Sequence, residues 1–533
     1  MNFKRINNIT GWVICIIACS VYVLTMEKNG SLWDCGEFAS SAYKLQIPHS
    51  PGAPFFVLIG RLFMSPFSPA NAATGINLMS ALASGFTILF LFWSITHYAK
   101  KMFVKNGTEI NSGSIIGIMA AGAVGALAYT FSDTFWYSAV EAEVYALASF
   151  FTALLFWLML KWEDEVTAEQ LAGIRGHFTK ADRYIVVIFF LMGLSIGVHL
   201  LNLLTIPAIV MIYFYKRYRV TPLRTFYAFI LAIVITGFAQ KALIQWTVKG
   251  AGSFDILFVN DFGLPFFTGF AFFFIVLVAL VYVGLKVAHK KNWNLLKLGL
   301  WSFLFITLGC FASYSTTLVR SNANVAVDMN EVDNPVNLMS YVSREQYGDW
   351  PILFGQDFTA QIQDSKVTET YIKAGNKYEK EGRKVEYVYA PEDKHFFPRM
   401  WDQSNDQGHA DYYADYAEIG KNKDGTYEHA PTMADNIGFF FSYQINWMYW
   451  RYFMWNFAGK QNDVQGVQMS NVRDGNWKTG IGFYDNIRLG DQSKLPDTLK
   501  NNKANNKLYM LPFILGILGL VIKLKMIKEM HWL

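Results

Sequence analysis

Residues 268–287 read TGFAFFFIVLVALVYVGLKV, and this stretch decides the fold class of the chain. It contains a single charged residue, Lys286. Runs of about 20 apolar residues are long enough to cross the hydrocarbon core of a bilayer as helices. Backbone N–H and C=O groups find no water there, so such a run must be helical. The stretch therefore predicts a membrane-spanning α-helix.

The rest of the sequence repeats this pattern. Of its 533 residues, 53% are hydrophobic and 16% are charged, whereas soluble domains carry about 25% charged residues. We therefore predict an α-helical polytopic membrane protein with about ten transmembrane helices, the first at Thr10–Met26. The further spans are 72–97, 113–131, 143–161, 184–199, 201–215, 225–246, 268–287, 296–318 and 508–524.

Lysine and arginine residues cluster in alternate loops of this predicted topology. By the positive-inside rule these loops face the cytoplasm. The cations behind the net charge of +5 therefore indicate the orientation of the chain in the membrane, and no nucleic-acid partner is expected. The clusters begin at Lys100, Arg175, Lys216, Lys290 and Lys523. The opposite side receives the loops 27–71, 132–142 and 247–267 and the long segment 319–507.

The predicted domains follow from these spans. Residues 1–318 form a transmembrane domain, 319–507 an external α+β domain, and 508–533 a last transmembrane helix with a cytoplasmic tail. The external segment is polar and long enough to be a domain of its own. Its alternating stretch 385–389, Val-Glu-Tyr-Val-Tyr, predicts a β-strand.

The first predicted external loop carries two carboxylates three residues apart. Asp34 and Glu37 share one face if the segment is helical. At the membrane edge they suit a general base and a second acidic group, because proximity and burial separate the pKa values of such a pair. The same spacing fits a helix cap, with Asp34 at the N-cap and Glu37 three positions later. The spacing alone leaves both interpretations open.

A bend is predicted shortly after this pair, since Pro51, Gly52 and Pro54 follow His49. The apolar run Phe55–Phe63 then predicts a short amphipathic or re-entrant helix. Such a helix is tolerated at membrane depth where it lines a cavity.

Further acidic and histidine residues are predicted on the same side. Glu141 and Glu143 lie at the start of the fourth span, where a carboxylate is costly and by default functional, although a helix N-terminus also favours negative charge. His199 ends the fifth span, and a hydrogen-bonded interfacial histidine is the alternative there. Six such side chains converge on one face, which favours a single site. They are Asp34, Glu37, His49, Glu141, Glu143 and His199. A buried Glu143 should be paired there with a histidine or an arginine.

Three arginines are candidates for binding a lipid phosphate through the guanidinium fork. Arg61 lies in the re-entrant segment, Arg320 follows the ninth span, and Arg451 lies in the aromatic run 447–457. Ordinary snorkelling is the alternative for each of them. The aromatic run is interpreted as a membrane-facing foot, with sugar stacking and a domain core as the other interpretations.

The sequence contains no glycine-rich phosphate loop, no Walker motif and no Cys/His zinc spacing. No metal ligands and no cofactor are therefore predicted. An enzyme that works on the external side needs an activated donor there, and a polyprenyl-phosphate sugar is such a donor.

An ordered set of motifs in the first 200 residues resembles a bacterial family of GT-C membrane glycosyltransferases, which is related to the animal transmembrane O-mannosyltransferase of IPT domains. Cys35 stands where a serine or similar small residue is common in that family. The motifs are Asp34-x-Gly36-Glu37, His49-x-Pro51-Gly52-x-Pro54, Asn77, Ala142-Glu143-Val144-Tyr145-x-Leu147 and Gly193-Leu194-Ser195 leading to His199. Later motifs resemble the bacterial branch only: Arg320-Ser321-x-Ala323-Asn324, residues 344–349, Tyr449 to Phe457 and Gly475-Asn476-Trp477.

The resemblance implies a GT-C-like fold and an inverting transfer of a sugar, expected to be mannose, from a polyprenyl-phosphate donor to Ser or Thr of exported proteins. It implies that Asp34 is the base and that Glu37 orients it or the donor. Glu143 and His199 would complete the pocket. The implied location is the bacterial inner membrane, with the bilayer lipids, the donor and the acceptor proteins as partners and the active site facing the periplasm.

A transporter or flippase of a lipid-linked sugar is the competing function, because it would also use intramembrane carboxylates. Such a protein should carry inverted repeats and polar groups near the bilayer midplane. The sequence contains neither, and its large external segment suits an acceptor better.

Overall fold

A computed structural model describes residues 2–103, 110–329, 331–343, 354–360, 362–396, 407–466 and 471–531. The chain divides into two compact units, the first comprising residues 1–345 and 369–382, the second 346–368 and 383–533. The boundary predicted after residue 318 falls inside a helix that continues to Asn322. The motif at 344–349 lies outside the described residues.

The first unit is mainly helical. Its helices are α1 (Phe3–Thr25), α2 (Cys35–Lys44), α3 (Pro54–Met64), α4 (Ala72–Phe103), α5 (Ser112–Thr130), α6 (Asp133–Ala139), α7 (Val144–Leu171), α8 (Arg183–Ile196), α9 (Thr205–Arg217), α10 (Pro222–Phe238), α11 (Thr247–Ile256), α12 (Thr268–Lys290), α13 (Asn294–Asn322) and α14 (Pro335–Ser343).

Eight helical segments in the described ranges are long and apolar enough to cross a membrane. This confirms the predicted class of a polytopic α-helical membrane protein, and the second unit is an additional domain. The eight are Phe3–Thr25, Pro69–Phe103, Ser112–Thr130, Val144–Leu171, Leu200–Arg217, Pro222–Asp261, Thr268–Lys290 and Asn294–Asn322.

Two of the predicted spans, 184–199 and 508–524, form helices that do not belong to these eight. Helix α8 has 14 residues, or about 21 Å at 1.5 Å per residue, which is less than the roughly 30 Å of a hydrocarbon core. The helix at the end of the chain, Leu511–His531, carries Lys523, Lys525 and Lys528 in its second half.

The predicted loop 247–267 is wrong over most of its length, because residues 222–261 form one continuous helical segment. Helix α10 passes through a π-helical stretch into α11, and a second π-helical stretch ends at Asp261. Polar residues such as Ser253 and Asp255 suggested a loop. Asp255 is fully buried and accepts hydrogen bonds from the backbone N–H groups of Phe267, Gly269 and Phe270 at the start of α12. Tertiary partners therefore stabilise a helix that the local pattern does not indicate.

Helices α8 and α13 cross at backbone contact distance. A Cβ on Gly193 would lie 2.2 Å from the carbonyl oxygen of Ile306, and a Cβ on Gly309 would lie 2.3 Å from that of Phe190. Small residues of this kind allow membrane helices to approach closely. The crossing fixes the end of α8 that leads to His199.

The short helices α2 and α3 lie in one hydrophobic cluster with α4 and α7. The predicted short apolar helix is confirmed as α3, whose 11 residues are too few to span a bilayer. Phe38 of α2 contacts Phe56 of α3 with ring centroids 5.2 Å apart. This packing fixes the loop between the two helices at both of its ends.

The second unit combines short helices and strands around a small aromatic core that includes Phe358, Tyr413 and Phe439. Strand β1 (Phe354–Gln356) pairs antiparallel with β4 (Lys394–Phe396). β2 (Ile362–Ala374) pairs with β3 (Lys377–Tyr389), which confirms the strand predicted at 385–389; residues 369–382 of this pair belong to the first unit. The helices are α15 (Gln407–Tyr416), α16 (Met433–Phe439), α17 (Arg451–Phe457), α18 (Gly482–Leu489), α19 (Asp497–Lys500) and α20 (Leu511–His531).

Candidate functional site

Helix α2 begins at the acidic pair. Asp34 occupies its N-cap position, but its side chain makes no capping hydrogen bond within the described residues. Glu37 is in the first turn of α2, yet its carboxylate binds a residue of the following loop. The capping position is therefore observed without the capping bonds, which leaves the Asp34 carboxylate, 46% exposed, available for chemistry.

Glu37 holds His49 through two hydrogen bonds. Its Oε1 accepts the backbone N–H of His49 at 2.7 Å, and its Oε2 lies 2.7 Å from Nδ1 of the His49 ring. A carboxylate at Nδ1 fixes the tautomer and the orientation of an imidazole. The other ring nitrogen, Nε2, lies 4.0 Å from Oδ2 of Asp34.

These three side chains are also of the type that binds metal ions. Asp34, Glu37 and His49 each offer one ligand atom, and the three atoms lie within 4.8 Å of one another. Because Nδ1 of His49 contacts Glu37, Nε2 is the ring nitrogen that would be left for an ion beside Asp34.

Glu141 and Glu143 lie beside the first loop. The hydroxyl of Ser31 donates to Glu141 at 2.8 Å. Glu143 is the N-cap of α7 and accepts the N–H of Val144 at 3.3 Å, and the thiol of Cys35 lies 3.9 Å from its other oxygen. A histidine or an arginine was the expected partner of Glu143, but within the described residues its partners are this backbone group and this thiol.

Burial raises the pKa of Glu143 to about 7, and the nearby charges of Asp34 and Glu141 add to the effect. The side chain is buried and carries no cationic partner within the described residues, so its neutral form is favoured. Burial and the charges of Glu141 and Glu143 likewise raise the pKa of the Cys35 thiol to about 12. These mutual effects bring Asp34, Cys35, Glu141 and Glu143 into one electrostatic group.

The start of the first loop is anchored by Asn77, a buried residue of α4. Its amide donates to the backbone carbonyl of Glu27 at 2.7 Å and to that of Asn29 at 3.1 Å. The N–H of Glu27 donates to the carbonyl of Val140 at 2.9 Å. Asn77 thus holds the start of the loop of Asp34, and the backbone hydrogen bond of Glu27 ties that loop to the turn that carries Glu141 and Glu143.

His199 lies at the end of α8, where its Nδ1 accepts the N–H of Leu201 at 3.1 Å. Its ring is 5.6 Å from that of Tyr145, two residues after Glu143. The neighbouring Val198 packs in the cluster that contains Cys35. His199 is thus adjacent to the elements of the acidic group, and its membership of the same site stays a prediction.

The three arginines have protein partners. Arg61 lies over the ring of Tyr43 at 5.4 Å. Arg320 is buried and donates to the carbonyl of Gln46 at 2.8 Å. Arg451 belongs to the second unit, is 3% exposed, and lies 4.0 Å from the ring centroid of Trp447. Binding of a lipid phosphate by these residues stays a prediction that the contacts do not require.

Two family descriptions match the chain. Residues 34–222 match "Protein O-mannosyl-transferase TMEM260 N-terminal domain", a segment that contains every acidic and histidine residue of the candidate site. Residues 348–441 match a family of unknown function, DUF8416.

Two curated proteins are similar to the chain. The mouse (Mus musculus) protein named "Protein O-mannosyl-transferase TMEM260" is 28% identical over 155 residues, which is 29% of this chain and 20% of the mouse protein. Its Dictyostelium discoideum namesake is 25% identical over 201 residues, 37% of this chain and 22% of that protein. The chain therefore matches about a fifth of the length of these relatives. No solved structure matches it. The chain is thus related to the animal protein O-mannosyltransferase, as the motifs predict.

Proposed function

We propose that this chain is a membrane glycosyltransferase that transfers a sugar, expected to be mannose, from a polyprenyl-phosphate donor to Ser or Thr hydroxyls of exported proteins. The observation that carries the proposal is the contact between Glu37 and His49 beside Asp34, whose side chain makes no capping hydrogen bond within the described residues. It lies within the segment that matches the O-mannosyltransferase domain.

The proposed reaction is a single displacement. The acceptor hydroxyl oxygen attacks the anomeric carbon while the bond from that carbon to the phosphate oxygen breaks. The electron pair leaves with the polyprenyl phosphate, the hydroxyl proton passes to an oxygen of Asp34, and the anomeric configuration inverts. A carboxylate held close to the hydroxyl can supply this general-base step.

The other residues have supporting roles in this proposal. Glu37 fixes the ring of His49, which presents Nε2 toward Asp34 and the substrate. Glu141, Glu143 and His199 border the sugar. A neutral Glu143 is a hydrogen-bond donor for a sugar hydroxyl, which an ionised carboxylate cannot be.

Arg61 and Arg320 remain proposed contacts of the lipid phosphate, and phosphate binding by Arg451 of the second unit is a separate proposal. Their guanidinium groups offer five N–H donors each, more than their protein partners use.

The proposed location is the bacterial inner membrane, with the acidic group facing the periplasm, because the lysine and arginine clusters fall in alternate loops of the topology predicted from the sequence. A membrane-impermeant thiol reagent tests this in a variant without Cys15, Cys19, Cys35 and Cys310. Cysteines at Gly30 and Gly425 should react from outside, and cysteines at Lys101 and Lys291 should react only after permeabilisation. Labelling at Lys291 in intact cells would invert the whole topology.

The activity itself is tested with purified protein in lipid vesicles, polyprenyl-phosphate mannose and a Ser/Thr-rich acceptor peptide, read by mass spectrometry. The expected product is a peptide heavier by one hexose. Movement of the lipid-linked sugar between leaflets with no modified peptide would instead support the flippase.

A further inference from the structure

The loop that carries His49 is held along its backbone by residues near the end of the first unit. Arg320 of α13 donates to the carbonyl of Gln46 at 2.8 Å. Ile47 then forms a parallel bridge: its N–H donates to the carbonyl of Val327 at 3.0 Å, and its carbonyl accepts the N–H of Met329 at 3.3 Å. Both peptide groups around Ile47 are thus hydrogen-bonded to a segment far along the chain.

Tyr341 of α14 holds the next peptide. Its hydroxyl donates to the carbonyl of Pro48 at 2.9 Å. The side chain is 1% exposed, and burial raises the pKa of Tyr341 well above its usual value, so the hydroxyl remains a donor at physiological pH. The hydroxyl also fills the space beside Gly52, where a Cβ would lie 1.6 Å from it.

The backbone N–H and C=O groups from Gln46 to His49 therefore all have hydrogen-bond partners. The N–H of His49 donates to Glu37, and its carbonyl accepts the N–H of Gly52 at 2.8 Å. Buried backbone groups cost free energy when they are unpaired, so this set of bonds defines one conformation of the loop. The direction in which the His49 side chain leaves the backbone is set by that conformation.

The segment around Asp328, which contacts the loop, is itself held by hydrogen bonds. Asp328, which faces Ile47 in the bridge, accepts a hydrogen bond from the hydroxyl of Ser321 and from the N–H of Val332. The strand-like stretch around Asp328 is thus tied back to the end of α13, from which Arg320 also projects. Arg320, the backbone around Asp328 and Tyr341 thus hold three consecutive residues of the loop, Gln46, Ile47 and Pro48.

We propose that Tyr341 and Arg320 are positioning residues, which hold the loop so that the His49 ring stays between Glu37 and Asp34. This inference rests on the proposed function for its catalytic consequence. Its structural content, that residues 320–341 fix the His49 loop, stands independently of the reaction. A catalytic group displaced by about 1 Å can lose up to about 100-fold in rate, so removal of one such bond should be measurable in turnover.

The first test is hydrogen exchange of the detergent-solubilised full chain with Tyr341→Phe, which removes only the hydroxyl. Tyr22→Phe is the matched control, because the Tyr22 hydroxyl is equally buried and donates to the carbonyl of Thr130 at the same 2.9 Å. Tyr341→Phe should speed exchange of the Ile47 and His49 amides about fivefold, the value of one net hydrogen bond. Equal rates at these amides in both variants would overturn the proposal.

A second pair of variants approaches the same contact from the loop side. Gly52→Ala places a methyl group on the Tyr341 hydroxyl at a backbone with φ +78°. Gly173→Ala introduces the same strain at φ +79° with no atom within 4 Å of the new methyl group. Gly52→Ala should reproduce the faster exchange of the Tyr341→Phe protein, and Gly173→Ala should not. Unchanged exchange in Gly52→Ala would contradict the role of Tyr341.

The catalytic consequence is read from steady-state transfer. Tyr341→Phe should lower kcat about tenfold and leave KM for the polyprenyl-phosphate donor within about twofold, because orientation rather than binding is lost. A rise in KM at unchanged kcat would assign the Tyr341 hydroxyl to donor binding and overturn its positioning role. If the unmodified protein transfers no sugar, the proposed function fails, and the exchange experiment still decides whether residues 320–341 hold the loop.

Discussion

Glu37 and Glu143 are both carboxylates withdrawn from water at one end of a helical bundle, but they have different partners. Glu37 is hydrogen-bonded to both the backbone and the ring of His49. Glu143 has a backbone N–H and the thiol of Cys35, and burial beside other carboxylates raises its pKa to about 7. Glu37 thus has a potential cation beside it, whereas Glu143 moves toward its neutral form.

The difference indicates two kinds of chemistry within one group of acids. A carboxylate paired with an imidazole orients it and holds it ready for proton transfer. A carboxyl that keeps its proton near neutral pH is a hydrogen-bond donor, and it leaves the neighbouring Asp34 with fewer like charges. The comparison therefore predicts unequal effects from the same Glu-to-Gln change at the two positions.

The largest effect is expected at Asp34, whose Oδ2 lies 4.0 Å from Nε2 of His49 and whose charge also acts on Glu143. Asp34→Asn should lower transfer by about 10²- to 10⁴-fold, since it removes the general base but keeps the shape of the side chain. Asp133→Asn, at an exposed carboxylate in the first turn of α6, is the control and should leave transfer unchanged. If Asp34→Asn lowered the amount of protein in the membrane but left the activity per molecule normal, the role of Asp34 would be structural.

Glu37→Gln comes next, with an expected loss of about 10- to 100-fold in turnover, because glutamine cannot accept both hydrogen bonds from His49. The exposed Glu27→Gln in the same loop is the control. Turnover within about twofold of the unmodified enzyme would show that the orientation of His49 does not limit the reaction.

Glu143→Gln should act mainly on the pH dependence of the free energy of unfolding, and less on turnover. Because the folded-state pKa lies near 7 and the usual value is 4.5, the folded protein binds this proton more tightly than the unfolded chain does. Stability is therefore lost as pH rises from about 4.5 through 7, by about 3 kcal/mol in all. Glutamine lacks this titration, so thermal unfolding of Glu143→Gln in detergent should change less between pH 5 and pH 8. An identical pH dependence in both proteins would show that Glu143 is not the buried acid.

The smallest effect is expected for Cys35→Ser. A serine hydroxyl is a stronger donor than a thiol and favours the charged form of Glu143. Transfer should stay within about twofold, as for an isosteric change outside the reacting atoms, and the pH dependence assigned to Glu143 should become smaller. A tenfold loss of transfer at normal protein level would make the thiol itself part of the mechanism.

The pattern of apolar runs was enough to predict most of the transmembrane helices, because the bilayer allows few alternatives to a helix. The same reasoning failed at 247–261, where polar residues indicated a loop. Asp255 there has buried backbone donors as partners, and these donors come from residues that are not adjacent in sequence. Helix boundaries that depend on such contacts cannot be predicted from a local pattern.

The candidate site was predicted as a set of residue types and not as an arrangement. The spacing of Asp34 and Glu37 fits a cap and an acid–base pair equally well; in the structure the Glu37 carboxylate binds His49, and the acid–base role of the pair stays a prediction. Glu143 was expected beside a cation and has none within the described residues. Tyr341 was not predicted, because no signal in the sequence connects it with Pro48, 293 residues earlier.

The sequence by itself determined the membrane class of this protein and most of its long apolar helices, although it predicted about ten spans and eight helical segments in the described residues are long enough to cross a membrane. Hydrophobic length and charge are local properties, and the bilayer translates them directly into helices and loops. Only the tertiary structure decided which carboxylate meets His49, which one has its pKa raised by burial, and which residues hold the loop of the site. Those outcomes depend on burial and on hydrogen bonds between distant residues, and neither quantity exists until the chain has folded.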